Sequence, residues 1–230
     1  MFLRIRSSDV GRKTFWWYTG KLYGDRYGEP MRPLFQMQGA SQTLATRISD
    51  SEVAYTLKEA GYYCDLETGE VIDGEVNNVF TDEAITPQHY LSSQDLIFSD
   101  QMAVRPQRDL PSNISFDGRI IRPDIKGDRI WMSEYLFVTV GSRSGGNPRI
   151  SNSMANFEAS LEDVSKPEGF VPATMQYTTF NSYRTWMNMG DTKGHVMMRL
   201  NALKLERWDQ IPEPLRSRIE ADHVGEFGDA

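Results

Sequence analysis

The fold is decided by residues 34–64, which read LFQMQGASQTLATRISDSEVAYTLKEAGYYC. The segments 34–48 and 52–64 are each long enough for a β-strand, and apolar side chains recur at alternate positions of the second segment, as in a half-buried strand. Only residues 49–51 separate the two segments, and a connection of this length is typical of a β-hairpin. The pattern therefore predicts two long antiparallel strands joined by a short turn.

The residues that follow predict a second tight turn. Residues 65–69 read DLETG and lie between YYC at 62–64 and EVI at 70–72. Asp65 can accept hydrogen bonds from the backbone of the turn, and Gly69 can adopt a positive φ without steric cost. The chain is therefore expected to reverse direction here.

Further strand patterns recur along the chain. The segments rich in β-branched, aromatic and other apolar residues are 14–23, 129–140, 152–162, 171–184 and 194–206. Residues 77–99 fit no single pattern. Residues 100–128 are rich in Pro, Asp, Asn and Gly, and this composition predicts a long loop.

The end of the chain has a helical pattern. The spacing of Ile211, Leu215 and Ile219 predicts an amphipathic helix over residues 209–223. About eight strands with connections too short for crossover helices predict a mainly β fold. We expect a single domain over residues 1–230 that forms an antiparallel barrel, either lipocalin-like or a strongly curved sheet, with a two-sheet sandwich as the alternative.

The composition argues against several classes of partner. The chain has 25 Lys and Arg against 32 Asp and Glu and a net charge of −7, without a basic run, so nucleic acid is not expected. No stretch approaches the about 20 apolar residues of a membrane span, and residues 1–10 lack the apolar segment of a secretory signal. The single cysteine, Cys64, cannot form an internal disulfide. We therefore expect a cytoplasmic protein whose partner is a small-molecule ligand, with a homodimer left open.

The sequence predicts neither a metal nor a cofactor. The three histidines, His89, His195 and His223, form no HxH or HExxH spacing, and the chain has no Cys cluster. Residues 142–147 read SRSGGN and lack the glycine and lysine spacing of a phosphate-binding loop.

Two glutamates interrupt strand faces that are otherwise mainly apolar. Glu134 belongs to the face Ile130, Met132, Glu134, Leu136, Val138 and Val140. Glu59 belongs to the face Val53, Tyr55, Leu57, Glu59, Gly61 and Tyr63. A desolvated carboxylate can titrate near neutral pH, as a general acid or base must, although an ion pair with Arg47 or Arg199 would also explain such a position. Both glutamates are catalytic candidates, and Glu134→Gln is expected to abolish turnover while sparing the fold.

The remaining candidates are a histidine and a set of binding residues. His89 is the third catalytic candidate, because a loop or strand start could present it to a cleft; a hydrogen-bonded structural histidine is the alternative. The predicted substrate-binding residues are Tyr18 and Tyr63, one or the other as a hydroxyl donor, Arg199 as a carboxylate anchor, and Trp17, Trp186 and His195.

Several stretches resemble a protein family. They are WYTG with LYG at 17–24, KEAGYYCDLETGE at 58–70, WMSE at 131–134, WMNMGDTKGHVMMR at 186–199, KL at 204–205 and the helix start at 209–214. On these residues the chain resembles domain of unknown function family 1838. The resemblance implies a single-domain protein and names no reaction. Glu59, Glu134 and His195 fall inside the resembling stretches, whereas His89 lies where the sequence departs from the family pattern.

Three functions are compatible with these observations. The first is a cofactor-independent lyase or isomerase, for example a decarboxylase, that acts on a small aromatic or apolar acid or ketone inside the barrel. The second is a non-catalytic carrier or sensor of a lipophilic small molecule, which needs the cavity but no titratable group. The third is an oligomeric structural protein whose interior holds only an ion-pair network.

Overall fold

A computed structural model describes residues 1–141 and 148–228 of the chain. Its strands are β1 (Thr14–Arg26), β2 (Arg32–Arg47), β3 (Glu52–Cys64), β4 (Val76–Asn77), β5 (Ala84–Ile85), β6 (Tyr90–Ser99), β7 (Ala103–Pro106), β8 (Ile114–Lys126), β9 (Arg129–Val140), β10 (Arg149–Ser160), β11 (Ala173–Asn181) and β12 (Gly194–Leu205). Its helices are α1 (Phe2–Arg6), α2 (Leu161–Ser165) and α3 (Glu213–Asp222), with short 3₁₀ turns at Thr185–Met187 and Trp208–Gln210.

Ten of the described strands close an antiparallel barrel. Their order around the barrel is β1-β12-β11-β10-β9-β8-β7-β6-β3-β2, and β4 and β5 form a separate two-stranded sheet. The predicted mainly β barrel with a C-terminal helix is confirmed. The hairpin predicted from residues 34–64 is the β2–β3 pair, in which Arg47 lies opposite Val53.

The structure differs from the sequence-based expectation over residues 100–128. This stretch was expected to form a long loop, but it contains β7 and β8, which raise the strand number from about eight to ten. One of its turn-forming residues, Pro123, lies at a bulge of β8, because the pairing of β8 with β9 shifts register between Ile121 and Asp124. Proline is tolerated at such a bulge, where the ladder does not need its missing N–H.

The helix α1 lies across one end of the barrel, which we call the closed end. Its Phe2 ring packs edge-on against Phe98 and Phe157, with centroid distances of 5.6 and 5.8 Å. The Arg4 guanidinium donates hydrogen bonds to the carbonyl oxygens of Val164 and Gly169 at 2.9 and 3.1 Å. Apolar side chains of the core therefore predominate at this end of the barrel. The opposite end, where β1 and β3 finish, is the open end.

The helix α3 packs on the outside of the barrel. Leu215 and Ile219 are buried against outward-facing side chains of the first strands, among them Phe15 and Tyr62. Trp208 joins this outer core, and its indole N–H donates to Glu220 at 2.7 Å. No helix in the described part of the chain is long and apolar enough to cross a bilayer.

Candidate functional site

A small polar cavity lies inside the barrel towards the open end. Its volume is about 160 Å³. The described residues that line it are Glu59, Tyr90, Ser92, Ser151, Tyr177, Thr179, Asn181, Arg184 and Met198. Met198 is the one aliphatic side chain among them. They come from β3, β6, β10, β11 and β12 and from the loop after β11, so only the closed barrel brings them together.

A row of four paired residues builds the wall beside Glu59. Tyr18 of β1 lies opposite Gly39 of β2, Gly39 lies opposite Gly61 of β3, and Gly61 lies opposite Tyr90 of β6. A Cβ on Gly39 would come within 2.2 Å of the Tyr18 hydroxyl oxygen, and a Cβ on Gly61 within 2.2 Å of the Tyr90 ring. The two rings therefore lie over the glycines, and their hydroxyl oxygens meet at 2.9 Å.

Glu59 lies two residues before Gly61 on β3, so its side chain points to the same inward face as this row. Burial raises the pKa of Glu59 above that of an exposed glutamate. The hydroxyl of Tyr18, the charge of Arg6 and the hydroxyls of Ser92 and Tyr90 oppose this shift, because each favours the carboxylate. A carboxyl group with a raised pKa holds its proton more tightly than an exposed glutamate, which suits it to proton transfer.

The tyrosine hydroxyls around the cavity remain protonated at neutral pH. Burial and then the negative charge of Glu59 raise the pKa values of Tyr18, Tyr90 and Tyr177. Tyr18 also lies in hydrogen-bonding distance of the Ala60 carbonyl oxygen, at 3.1 Å. Tyr177, which lines the cavity, can therefore donate a hydrogen bond to a negatively charged oxygen, whereas the Tyr18 proton is already donated to Ala60. Glu59 is the residue suited to take up a proton.

Arg184 supplies a positive charge to the same cavity. Its Nε is buried and has no hydrogen-bond partner among the described residues. The guanidinium lies beside Tyr63, where it works against the rise that burial causes in the pKa of that phenol. A guanidinium with an unused N–H is a ready donor to a carboxylate ligand, since its donors match the two carboxylate oxygens.

Glu134 also faces the interior but does not line the cavity. It is 3% exposed, and the Nε of Arg6 donates to its carboxylate at 3.4 Å. The Arg6 guanidinium lies over the rings of Tyr55 and Phe157, 4.9 and 5.4 Å from their centroids. The geometry is that of an internal ion pair that anchors α1 in the barrel.

Two predicted aromatic residues stand next to the cavity. Tyr63 packs against Trp186 with a centroid distance of 5.0 Å, and it also contacts the Tyr90 ring at 6.4 Å. Trp186 lies in the 3₁₀ turn that follows β11, two residues after Arg184. These rings therefore form an apolar layer beside the polar cavity.

His89 lies at the open end but outside the cavity lining. Its Nδ1 accepts a hydrogen bond from the Tyr63 backbone N–H at 3.2 Å, and its ring packs 5.1 Å from that of Tyr62. Burial lowers the pKa of His89, although Asp73 lies 3.9 Å from Nε2 and opposes this. The structure therefore gives this histidine a local structural contact and no place beside Glu59.

Three predicted binding residues face away from the cavity. Arg199 is exposed on the outer face of β12, and His195 on the same face lies 3.0 Å from the Asp25 carboxylate. Trp17 packs against the outer core beneath α3. The cause is strand alternation: Tyr18 and Ala202 lie opposite each other and point inward, so their neighbours along the strands point outward.

Most of the cavity lining was not predicted from the sequence. The missed residues are Tyr90, Ser92, Ser151, Tyr177, Thr179, Asn181, Arg184 and Met198. A signal exists in β11, where Tyr177, Thr179 and Asn181 recur at every second position. The opposite face of that strand is also mixed in polarity, so alternation alone does not say which face is inward.

Other sequence predictions concern metals and loops. Within residues 1–141 and 148–228, no three His, Cys, Asp or Glu side chains converge as metal ligands would. The segment 142–147, which was not expected to bind phosphate, lies outside the described residues.

The fold and the site define a class of protein: a closed antiparallel β-barrel with a small polar cavity, whose described lining includes the carboxyl group of Glu59 and the guanidinium of Arg184. The family model described as "Protein of unknown function (DUF1838)" matches residues 11–107 and 150–230, and the chain belongs to this family. The matched ranges include Glu59 and Arg184 but not the WMSE stretch at 131–134. Searches of curated proteins and of solved structures gave no match.

Proposed function

We propose that this protein is a cofactor-independent lyase or isomerase that binds a small carboxylic acid inside the barrel and moves a proton on it. Arg184 anchors the carboxylate of the ligand, and Glu59 takes up and returns the proton. The observation that carries this proposal is that Glu59, whose pKa is raised by burial, lines the same small cavity as Arg184, whose Nε lacks a partner among the described residues.

The size and lining of the cavity narrow the ligand. A volume of about 160 Å³ is close to the roughly 150 Å³ of a protein cavity that holds one benzene molecule. Hydroxyl, amide, carboxyl and guanidinium groups dominate the lining. These properties favour a small polar acid, such as a short 2-oxo acid, over the aromatic or apolar acid suggested by the sequence, and they make this cavity unsuited to a lipophilic ligand.

The proposed chemistry is proton transfer next to a carbonyl group. The Glu59 carboxylate removes a proton from the carbon beside the carbonyl, and the electron pair of the broken C–H bond moves towards the carbonyl oxygen. A hydrogen bond from Tyr177 stabilises the resulting oxyanion. Glu59 then returns the proton either to this oxygen, which gives the enol isomer, or to the same carbon, which gives isotope exchange without net change. An arginine that binds the carboxylate stabilises the group that a decarboxylation would have to lose, so isomerisation or elimination is favoured over decarboxylation.

Hydrogen–deuterium exchange at carbon tests the proposal without knowledge of the product. Pyruvate and 2-oxobutanoate are incubated with the protein in D₂O, and deuterium incorporation beside the carbonyl is followed by NMR. The wild type should exceed the buffer rate, and Glu59→Gln should lose about 10²-fold or more of the enhancement, as is usual for a general base. Glu75→Gln is the matched control, because Glu75 is exposed on a loop.

The role of Arg184 in binding the carboxylate of the ligand is tested in the same assay. Arg184→Met should weaken binding of both acids, whereas Arg199→Met, on the outer face of the barrel, should not. Exchange no faster than in buffer with both acids, or an undiminished rate in Glu59→Gln, would contradict the catalytic proposal. Binding without exchange would instead support a non-catalytic binding protein.

A further inference from the structure

A second polar depression adjoins the cavity at the open end of the barrel, and we call it the vestibule. Its volume is about 770 Å³, and it is open to solvent. Its lining includes Arg149, Ser182, Arg184, Asn188, Asp191 and Lys193. Arg184 lines both spaces, so this residue stands at the boundary between the cavity and the vestibule.

The vestibule is positively charged in a protein whose net charge is −7. Among the described residues that line it, Arg149, Arg184 and Lys193 are cationic and Asp191 carries a carboxylate. Neither Arg149 nor Lys193 forms an ion pair within residues 1–141 and 148–228. The charges of the vestibule are therefore available to an anion.

From this arrangement we propose that the substrate carries two anionic groups, one bound in the cavity and one in the vestibule between Arg149 and Lys193. The proposal rests on the function proposed above and adds the substrate class: a short dicarboxylate, or an acid with a terminal phosphate or phosphonate. Arg184 contacts the inner carboxylate, and the two outer cations hold the distal group, which selects dianions over monoanions of the same length.

Matched pairs of acids test this selection by calorimetry. Butyrate and succinate have the same number of carbon atoms but differ by one carboxylate. 3-Phosphonopropionate tests a phosphonate in place of the second carboxylate. Succinate or the phosphonate should bind the wild type about three- to tenfold more tightly than butyrate, since exposed ion pairs contribute modestly. This advantage should fall as the salt concentration rises, because exposed charges are screened.

Charge-removing variants locate the second subsite. In the double variant Arg149→Gln, Lys193→Gln the advantage of the dianion should disappear, and the affinity for butyrate should be unchanged. The control is Arg47→Gln, Lys126→Gln, which removes the same charge from exposed residues at the closed end of the barrel and should retain the advantage. Thermal melting of both variants checks that the fold is intact.

The outcomes separate this inference from the proposed function. Butyrate binding with no gain for either dianion, or a gain that survives in the double variant, would overturn the vestibule subsite alone. If neither monoanion nor dianion binds the wild type, the proposed function fails and this inference fails with it. A gain for the phosphonate but not for succinate would assign the subsite to phosphate-like groups, and the reverse to carboxylates.

Discussion

The hydroxyl oxygens of Tyr18 and Tyr90 lie 2.9 Å apart, although two further strands separate β1 from β6. This contact exists because Gly39 and Gly61 occupy the paired positions between them and leave room for the two rings. Side chains at those positions would occupy the space above the sheet. The glycine pair therefore determines the shape of the wall beside Glu59.

Adding a methyl group at these glycines should displace the rings. Gly61→Ala is expected to destabilise the protein by about 1–3 kcal/mol, because the new Cβ overlaps the Tyr90 ring. Gly39→Ala should cost more, since its Cβ would also lie 2.3 Å from the backbone oxygen of Ala60, which cannot move as a side chain can. Urea unfolding monitored by circular dichroism measures both.

The control for these substitutions is Gly74→Ala, because nothing lies within 4 Å of the added Cβ. It should change the free energy of unfolding by no more than about 0.5 kcal/mol. The cost of Gly61→Ala should shrink in a Tyr90→Ala background. An equal cost in both backgrounds would show that Tyr90 does not account for the effect.

Glu59 should make the protein less stable as pH rises. Its pKa is higher in the folded state than in the unfolded state, so the folded state binds more protons between the two values and the free energy of unfolding falls across that window. Glu59→Gln removes the effect and should raise Tm at pH 8 but leave it nearly unchanged at pH 4. A destabilised variant at pH 8 would contradict this reasoning.

Lys204 should have the opposite pH dependence. It is 5% exposed, its ammonium donates to the Arg4 carbonyl oxygen at 2.5 Å, and burial lowers its pKa to about 7. The unfolded state then binds more protons between about pH 7 and 10.5, so this residue makes stability rise with pH over that range. The stability of Lys204→Met relative to the wild type should therefore be highest below pH 7.

The comparison of Lys204→Met with the wild type needs the full pH range. Methionine leaves the Arg4 carbonyl oxygen without its donor, so the difference in Tm at any one pH combines the loss of this hydrogen bond with the removal of the buried ammonium. The change of that difference with pH reports the ammonium alone. Thermal melts at pH 6, 8 and 10 separate them. A difference in Tm that stays constant from pH 6 to pH 10 would rule out the low pKa.

Glu134 should behave as a structural residue. Glu134→Gln removes the partner of the buried Arg6 guanidinium and should destabilise the protein by about 3–5 kcal/mol. This is the reverse of the expectation from the sequence, in which that substitution spares the fold. Replacing both partners, with Arg6→Met and Glu134→Leu, should cost less than Glu134→Gln alone, because no buried charge is then left unpaired.

The sequence allowed part of the candidate site to be found. Alternation in 52–64 and 129–140 placed Glu59 and Glu134 on inward faces, and both strands have the predicted bounds. It could not distinguish their roles, because the Arg6 that neutralises Glu134 lies 128 residues away along the chain. Nor could it find Arg184, which follows the end of β11 and enters the site only when the barrel closes.

The sequence by itself determined the mainly β class, the hairpin at 34–64, the C-terminal helix and the inward position of Glu59, because these follow from local propensity and from the periods of strands and helices. Only the tertiary structure decided how Tyr18 meets Tyr90, which carboxylate is paired, and which arginine faces the cavity. Those relationships depend on the order and register of strands around the barrel, and pairing between distant segments leaves no local pattern in the chain.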